Sequence, residues 1–182
     1  MRLVISCMDY RLSEEIAKRA REGDLILRTA GANVNGLRSY LSGLDVEEVL
    51  YLPHTDCAAL KLVYSAIVEG RPVDPAVEEA LVSLYRGREF STMEELERIH
   101  VELQTSILKS LFPRAKVSVE IIDVSKVKPL QRKSVYHLLK PSSRYDQEVL
   151  GAYIIQAPKR EDVEADIKIA ESLGLRPGRS EI

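Results

Sequence analysis

The chain carries two cysteines, and each stands beside other reactive side chains: Cys7-Met8-Asp9-Tyr10-Arg11 near the start and His54-Thr55-Asp56-Cys57 further on. Two thiolates and one imidazole are the donors of a tetrahedral zinc ion that keeps one position open, and an open position is where a catalytic water binds. Cys7, His54 and Cys57 are therefore the candidate zinc ligands. His54 and Cys57 stand three residues apart and can converge on one ion, and a thiolate near a helix N-terminus is favoured by the helix dipole. Asp9 and Arg11 stand two residues apart, next to Cys7. A carboxylate beside a guanidinium stays ionised and is held in orientation. Asp9 is thus suited to accept a hydrogen bond from zinc-bound water; released from Arg11, it would become a fourth ligand and shut the site. Asp9 and Arg11 are the candidate catalytic residues.

Plainer explanations compete with this one. Free cysteines are often simply buried, but here both cysteines and a histidine fall at the ends of expected strands. A structural zinc usually has four protein ligands, and the chain has no third cysteine. Of the other histidines, His100 lies on the apolar stripe of a helix and is read as a core residue, and His137 lies in a Tyr-His-Leu-Leu segment that the pattern does not assign. Asp56 is read as a helix cap, and the Asp9–Arg11 pair, taken alone, would be an ordinary surface ion pair of little worth.

These residues need elements to position them. Leu3-Val4-Ile5-Ser6, Leu25-Ile26-Leu27 and Val49-Leu50-Tyr51-Leu52 are short apolar runs expected as buried strands. Cys7 follows the first, Arg28 ends the second and Pro53-His54 follows the third. Between them, Ser13 with Glu14 and Glu15 is expected to open a helix ending by Gly23, and residues 37–43 a short helix closed by Gly43. A helix is expected over 56–69 and another over 76–85. An S-x-x-E capping box at Ser91 and Glu94 opens a longer helix, whose stripe is Leu96, His100, Leu103, Ile107 and Leu111. Val117 to Val124 is a fourth strand. A polar stretch then runs to about Asp146, with an extra strand over 149–155 and a last helix over 161–173 before Gly174. Alternating strands and helices imply an α/β fold: a mostly parallel central sheet of about four to five strands flanked by helices. In such a sheet ligands bind at the carboxyl ends of the strands, where Cys7, Arg28 and His54 all fall.

The bulk composition excludes several classes. The 182 residues are 45% hydrophobic and 30% charged, as in a globular protein able to bury a core. The net charge of −2 gives no ground for nucleic acid or an anionic membrane as partner, and Lys126, Lys128, Arg132 and Lys133 are read as a solvated connector. No apolar run approaches the ~20 residues of a membrane span. The N-terminal apolar stretch is too short for a signal peptide, so the expected location is cytoplasmic. Scarce Asn and Gln beside plentiful Glu, Lys and Arg lean towards a thermophilic source. Arg28-Thr29-Ala30-Gly31 matches neither G-x-G-x-x-G nor a P-loop, so no nucleotide site is indicated.

Together, Cys7/Asp9/Arg11, Arg28/Ala30/Gly31 and His54/Cys57 resemble, in this order, the β-class carbonic anhydrases. That family places C-x-D-x-R after its first strand, H-x-x-C after its third and an Arg-x-Ala-Gly turn between. The resemblance spans about residues 1–130, within a single expected domain of 1–182. It implies a homodimer or an assembly of dimers. It also implies a zinc (Zn2+) enzyme for the reversible hydration of carbon dioxide to bicarbonate by zinc-bound hydroxide. Two alternatives stay open: a hydrolase of carbon disulfide or carbonyl sulfide on the same fold, and a zinc-binding relative without turnover. The chain departs from the family pattern in several places. Cys7 stands too near the start for the family's helical arm, Ala58 replaces a frequent glycine, and Val119-Glu120 stands where the family has His-Gly. Residues 131–182 extend beyond the family core and are expected to replace the arm at a subunit interface.

Overall fold

Three apolar runs form the centre of the structure, a computed structural model that describes residues 1–182. They are β1 (Arg2–Cys7), β2 (Leu25–Thr29) and β3 (Glu48–Leu52). Leu3, Val4, Ile5, Ile26, Leu27 and Leu52 have no exposed surface, as strands covered on both faces require. Each such side chain contributes about 1.5–3 kcal/mol on leaving water. β1 pairs in parallel with β2 on one side and β3 on the other, and β4 (Lys116–Val119) pairs in parallel with β3. The helices are α1 (Ser13–Arg19), α2 (Arg38–Ser42), α3 (Ala58–Ile67), α4 (Pro75–Ala80), α5 (Met93–Leu111) and α6 (Glu164–Ser172).

The sheet has seven strands rather than four to five, in the order β4-β3-β1-β2-β6-β5-β7. Residues beyond 130 supply β5 (Val135–Leu139), β6 (Tyr153–Gln156) and β7 (Arg176–Ser180). Pairing is parallel throughout except at β2–β6, where the two parallel parts meet in opposite directions. That seam overlaps only at the carboxyl ends of the two strands, with Arg28 opposite Gln156. β6 then runs on beside the carboxyl end of β1: the Ile154 amide donates to the Met8 carbonyl at 3.0 Å, and the Tyr153 ring lies 5.4 Å from that of Tyr10. Residues 131–182 are thus built into the chain's own sheet, where they wall the edge that carries Cys7.

Several expectations change in detail. β5 lies inside the stretch read as polar, and its Tyr-His-Leu-Leu segment is a buried strand holding His137. β7, Arg-Pro-Gly-Arg-Ser, carries no large apolar residue and is a strand through its pairing with β5. The helix expected over 76–85 stops at Ala80 and continues as a 3-10 turn, Val82–Leu84. The capping box sits one residue later than expected. Thr92 Oγ1 accepts from the Glu95 amide at 3.2 Å, and Glu95 Oε1 accepts in return from the Ser91 amide at 3.4 Å. No helix is long and apolar enough to cross a membrane.

Candidate metal centre

Cys7 ends β1, and His54 and Cys57 lie in the loop between β3 and α3. The two sulfurs and an imidazole nitrogen of His54 all lie within 4.8 Å of one another, and all three residues are buried. The His54 loop is fixed from the strand side. Ile122 N donates to the Pro53 carbonyl at 2.8 Å, Thr55 N to the Ile122 carbonyl at 3.0 Å, and Val124 N to Thr55 Oγ1 at 3.0 Å. His54 Nδ1 lies 2.7 Å from the Thr55 carbonyl. A carbonyl only accepts, so Nδ1 carries a proton, and Nε2 is the nitrogen left for another partner. That Nε2 is buried and has no hydrogen-bond partner in the protein. Leaving such a group unsatisfied costs about 1–3 kcal/mol, and a cation held by the two sulfurs would satisfy it.

The thiols support the same conclusion. The Cys57 thiol, as hydrogen-bond partner, holds Cys7 well below the ordinary thiol range against the opposing effect of burial. Cys57 is pushed well up by its bond to Cys7 and by burial. For His54, burial alone would lower the pKa, but the neighbouring Cys7 charge outweighs it and raises it. Two thiolates and an imidazole at one point fit a metal ion, with zinc the usual tetrahedral partner of that donor set.

Asp9 stands outside this cluster, clamped by Arg11. Arg11 Nε lies 3.0 and 3.2 Å from the two carboxylate oxygens, Nη2 2.6 Å from Oδ2, and the Arg11 amide 2.8 Å from Oδ1. Burial would raise the Asp9 pKa, and the Arg11 hydrogen bonds overcome it and lower it. Arg11 is held in turn by the Asp56 carbonyl and Oδ2, each at 3.0 Å. Contrary to the expectation, Asp56 does not cap α3: it sits at φ +54°, its carboxylate bridges Arg11 and Lys61, and the cap position falls to Cys57.

Arg28 is fully buried. It donates to the Cys7 carbonyl at 2.9 Å, the Asp9 carbonyl at 2.7 Å and Ser13 Oγ at 2.9 Å, so one guanidinium ties Cys7 and Asp9 to the start of α1. Ser13 serves as this acceptor and not as the helix cap expected of it. After β2 the chain makes a tight turn, Ala30–Ala32, with Gly31 at φ +70° and Ala32 at φ +53°. The Gly31 amide donates to the Cys7 sulfur at 3.3 Å, and the Ala30 amide donates to Asp166 Oδ1 at 2.6 Å. His100 is a core residue, as expected: Tyr85 OH lies 2.5 Å from its Nδ1 and Tyr51 OH 3.4 Å from its Nε2, and burial pushes its pKa down to about 4. His137 accepts from the Arg179 amide at 2.8 Å, away from the cluster. Beside His54 lies an open recess of about 380 Å³, lined by Pro53, Leu60, Val101 and Ile121 together with the charged residues Glu97, Arg98 and Glu102.

The motifs name all three members of the cluster and the Asp9–Arg11 pair, and the structure brings the first three together. They leave out Thr55, whose carbonyl sets the His54 tautomer, and Asp166. Thr55 had a signal in its position beside the histidine. Asp166 had none, being one more acid in the first turn of a helix.

No protein-family model matches the chain, and no curated protein matches it. Solved structures do. Two tetrameric β-carbonic anhydrases from the filamentous ascomycete Sordaria macrospora superpose with a TM-score of 0.52 at 15% identity, over 71% of this chain and 79% of theirs. The fold is that of the β-carbonic anhydrases. A carbonic anhydrase from Glaciozyma antarctica matches with a TM-score of 0.43 at 24% identity, over 69% of this chain and 77% of that one. The limiting CO2-inducible protein LCIB matches with a TM-score of 0.41 at 14% identity, over 66% and 71%.

Proposed function

We propose that this protein is a zinc enzyme that hydrates carbon dioxide reversibly to bicarbonate, with Cys7, His54 and Cys57 as the metal ligands and Asp9 and Arg11 as the catalytic pair. The observation that carries this reading is the convergence of two thiols on a buried imidazole nitrogen that has no other partner. Zinc held there lowers the pKa of the water it binds to about 7 and so supplies a nucleophile at neutral pH. The rest falls to the chain. Thr55 holds His54 in the tautomer that offers Nε2. The Gly31 N–H tempers the charge on Cys7. Asp9, kept ionised and oriented by Arg11, would accept a hydrogen bond from the reacting water and so hold it in place. A homodimer or dimer-based assembly belongs to the same reading, and the tetrameric Sordaria proteins of like fold support it.

The test is stopped-flow carbon dioxide hydration on zinc-loaded protein from neutral to alkaline pH, with carbonyl sulfide and carbon disulfide assayed in parallel. Turnover of carbon dioxide rising through one pKa is the expected result. Sulfide release without carbon dioxide turnover would replace this reading with a sulfur-substrate hydrolase. Tight zinc without any turnover would make the protein a silent relative.

A further inference from the structure

We propose that Asp166, on the C-terminal helix α6, is a positioning residue for the metal centre: its carboxylate holds the Ala30 amide and thereby sets the Gly31 N–H on the Cys7 sulfur. The inference rests on the metal reading of Cys7, His54 and Cys57. Two successive amides of one turn point to two different acceptors, Ala30 to Asp166 Oδ1 at 2.6 Å and Gly31 to Cys7 Sγ at 3.3 Å. The turn does not hold this shape unaided, because Gly31 and Ala32 both lie in the left-handed region, which an alanine adopts only at a cost. Its exit is pinned by Tyr51, whose hydroxyl donates to the Ala32 carbonyl at 2.8 Å. Its entry is pinned by Asp166. The turn also lies against the second thiol: a Cβ on Gly31 would stand 4.0 Å from Cys57 Sγ and 3.3 Å from Ala59 Cβ.

Asp166 is 9% exposed and makes no ion pair. A carboxylate buried without a cation is costly, and its visible return is this bond, made from a helix 136 residues further along the chain. Groups that orient metal ligands in this way change metal affinity by about 10–100-fold when removed.

The experiment compares wild type, Asp166→Ala and Asp166→Asn loaded with cobalt(II), reading the thiolate-to-cobalt charge-transfer band and competition against a chelator. Asp166→Ala is expected to move the band and weaken metal binding about 10–100-fold. Asp166→Asn keeps an acceptor oxygen and is expected to restore both. A folded Asp166→Ala with the wild-type band and affinity overturns the inference while the metal reading stands, and equal damage in both variants overturns it too. If Asp166→Ala does not fold, amide exchange in the zinc-loaded wild type decides. Ala30 and Gly31 protected together support the link, and a fast-exchanging Ala30 beside a protected Gly31 breaks it. Wild-type protein that binds no cobalt overturns the metal reading and this inference with it.

Discussion

His54 offers Nε2 because the Thr55 carbonyl takes the proton on Nδ1, and the two thiols supply the charge that a cation would balance. His54→Ala and Cys57→Ala should therefore each reduce zinc from about one per chain to near none, read by atomic emission on dialysed protein. Asp9→Asn should keep its zinc and lose about 10²–10⁴-fold in turnover, because Arg11 can still bond the amide oxygen while the charge that orients the water is gone. Asp166 carries a pH signature of its own. Burial raises its pKa to about 7, so the folded protein binds this proton more tightly than the unfolded chain. The group's contribution to stability is then greatest below the ordinary carboxylate range and falls as pH rises towards about 7. Denaturant unfolding across this range should show Asp166→Asn gaining on wild type as pH rises; parallel curves would contradict the assignment. At this scale the reactive residues were legible because each motif is contiguous and its spacing is itself the chemistry. Asp166 and Ser13 were not, because their roles arise from partners distant in sequence.

The turn after β2 shows how an element constrains a site. At Gly31 an alanine must adopt φ +70° and press its Cβ to 3.3 Å from Ala59, so Gly31→Ala should cost more than the ~1–2 kcal/mol of the left-handed backbone alone and should loosen zinc. Gly23 has a similar φ of +84° but open space around its missing Cβ, so Gly23→Ala should show the backbone cost without the loss of metal. Thermal melts and chelator competition on the two variants separate these effects. β1, β2 and β3 were legible as strands because both faces are covered and the runs are continuously apolar. β5 was hidden by the Pro- and Ser-rich sequence around it. β7 could not be read at all, since Arg-Pro-Gly-Arg-Ser owes its form to pairing on the sheet edge and not to its own pattern. The cap was displaced by one residue because Ser91-x-x-Glu94 and Thr92-x-x-Glu95 overlap, and it is the Thr92 hydroxyl that takes the Glu95 amide.

For the whole molecule, the sheet count was underestimated because the segment beyond residue 130 reads as an appendage, whereas it shares the core. Ile155, Val163, Ile167 and Ile169 belong to the same buried cluster as Leu3 and Val4. A chain ending at residue 145 should therefore lose cooperative unfolding, checked by circular dichroism during heating. A soluble, cooperatively folded product would show that the C-terminal strands are dispensable.

The distance along the chain between the metal cluster and Asp166 also has a consequence for biosynthesis. Cys57 leaves the ribosome about a hundred residues before Asp166, an interval on the order of ten seconds at ordinary elongation rates. Throughout that interval the nascent chain holds a full set of thiol and imidazole donors with neither β6 beside Met8 nor α6 over the turn. On the proposed metal reading, an ion can reach the three side chains before the last strands and α6 are in place. Loading during synthesis and loading of finished protein are different kinetic problems for this chain, and the second should be the slower.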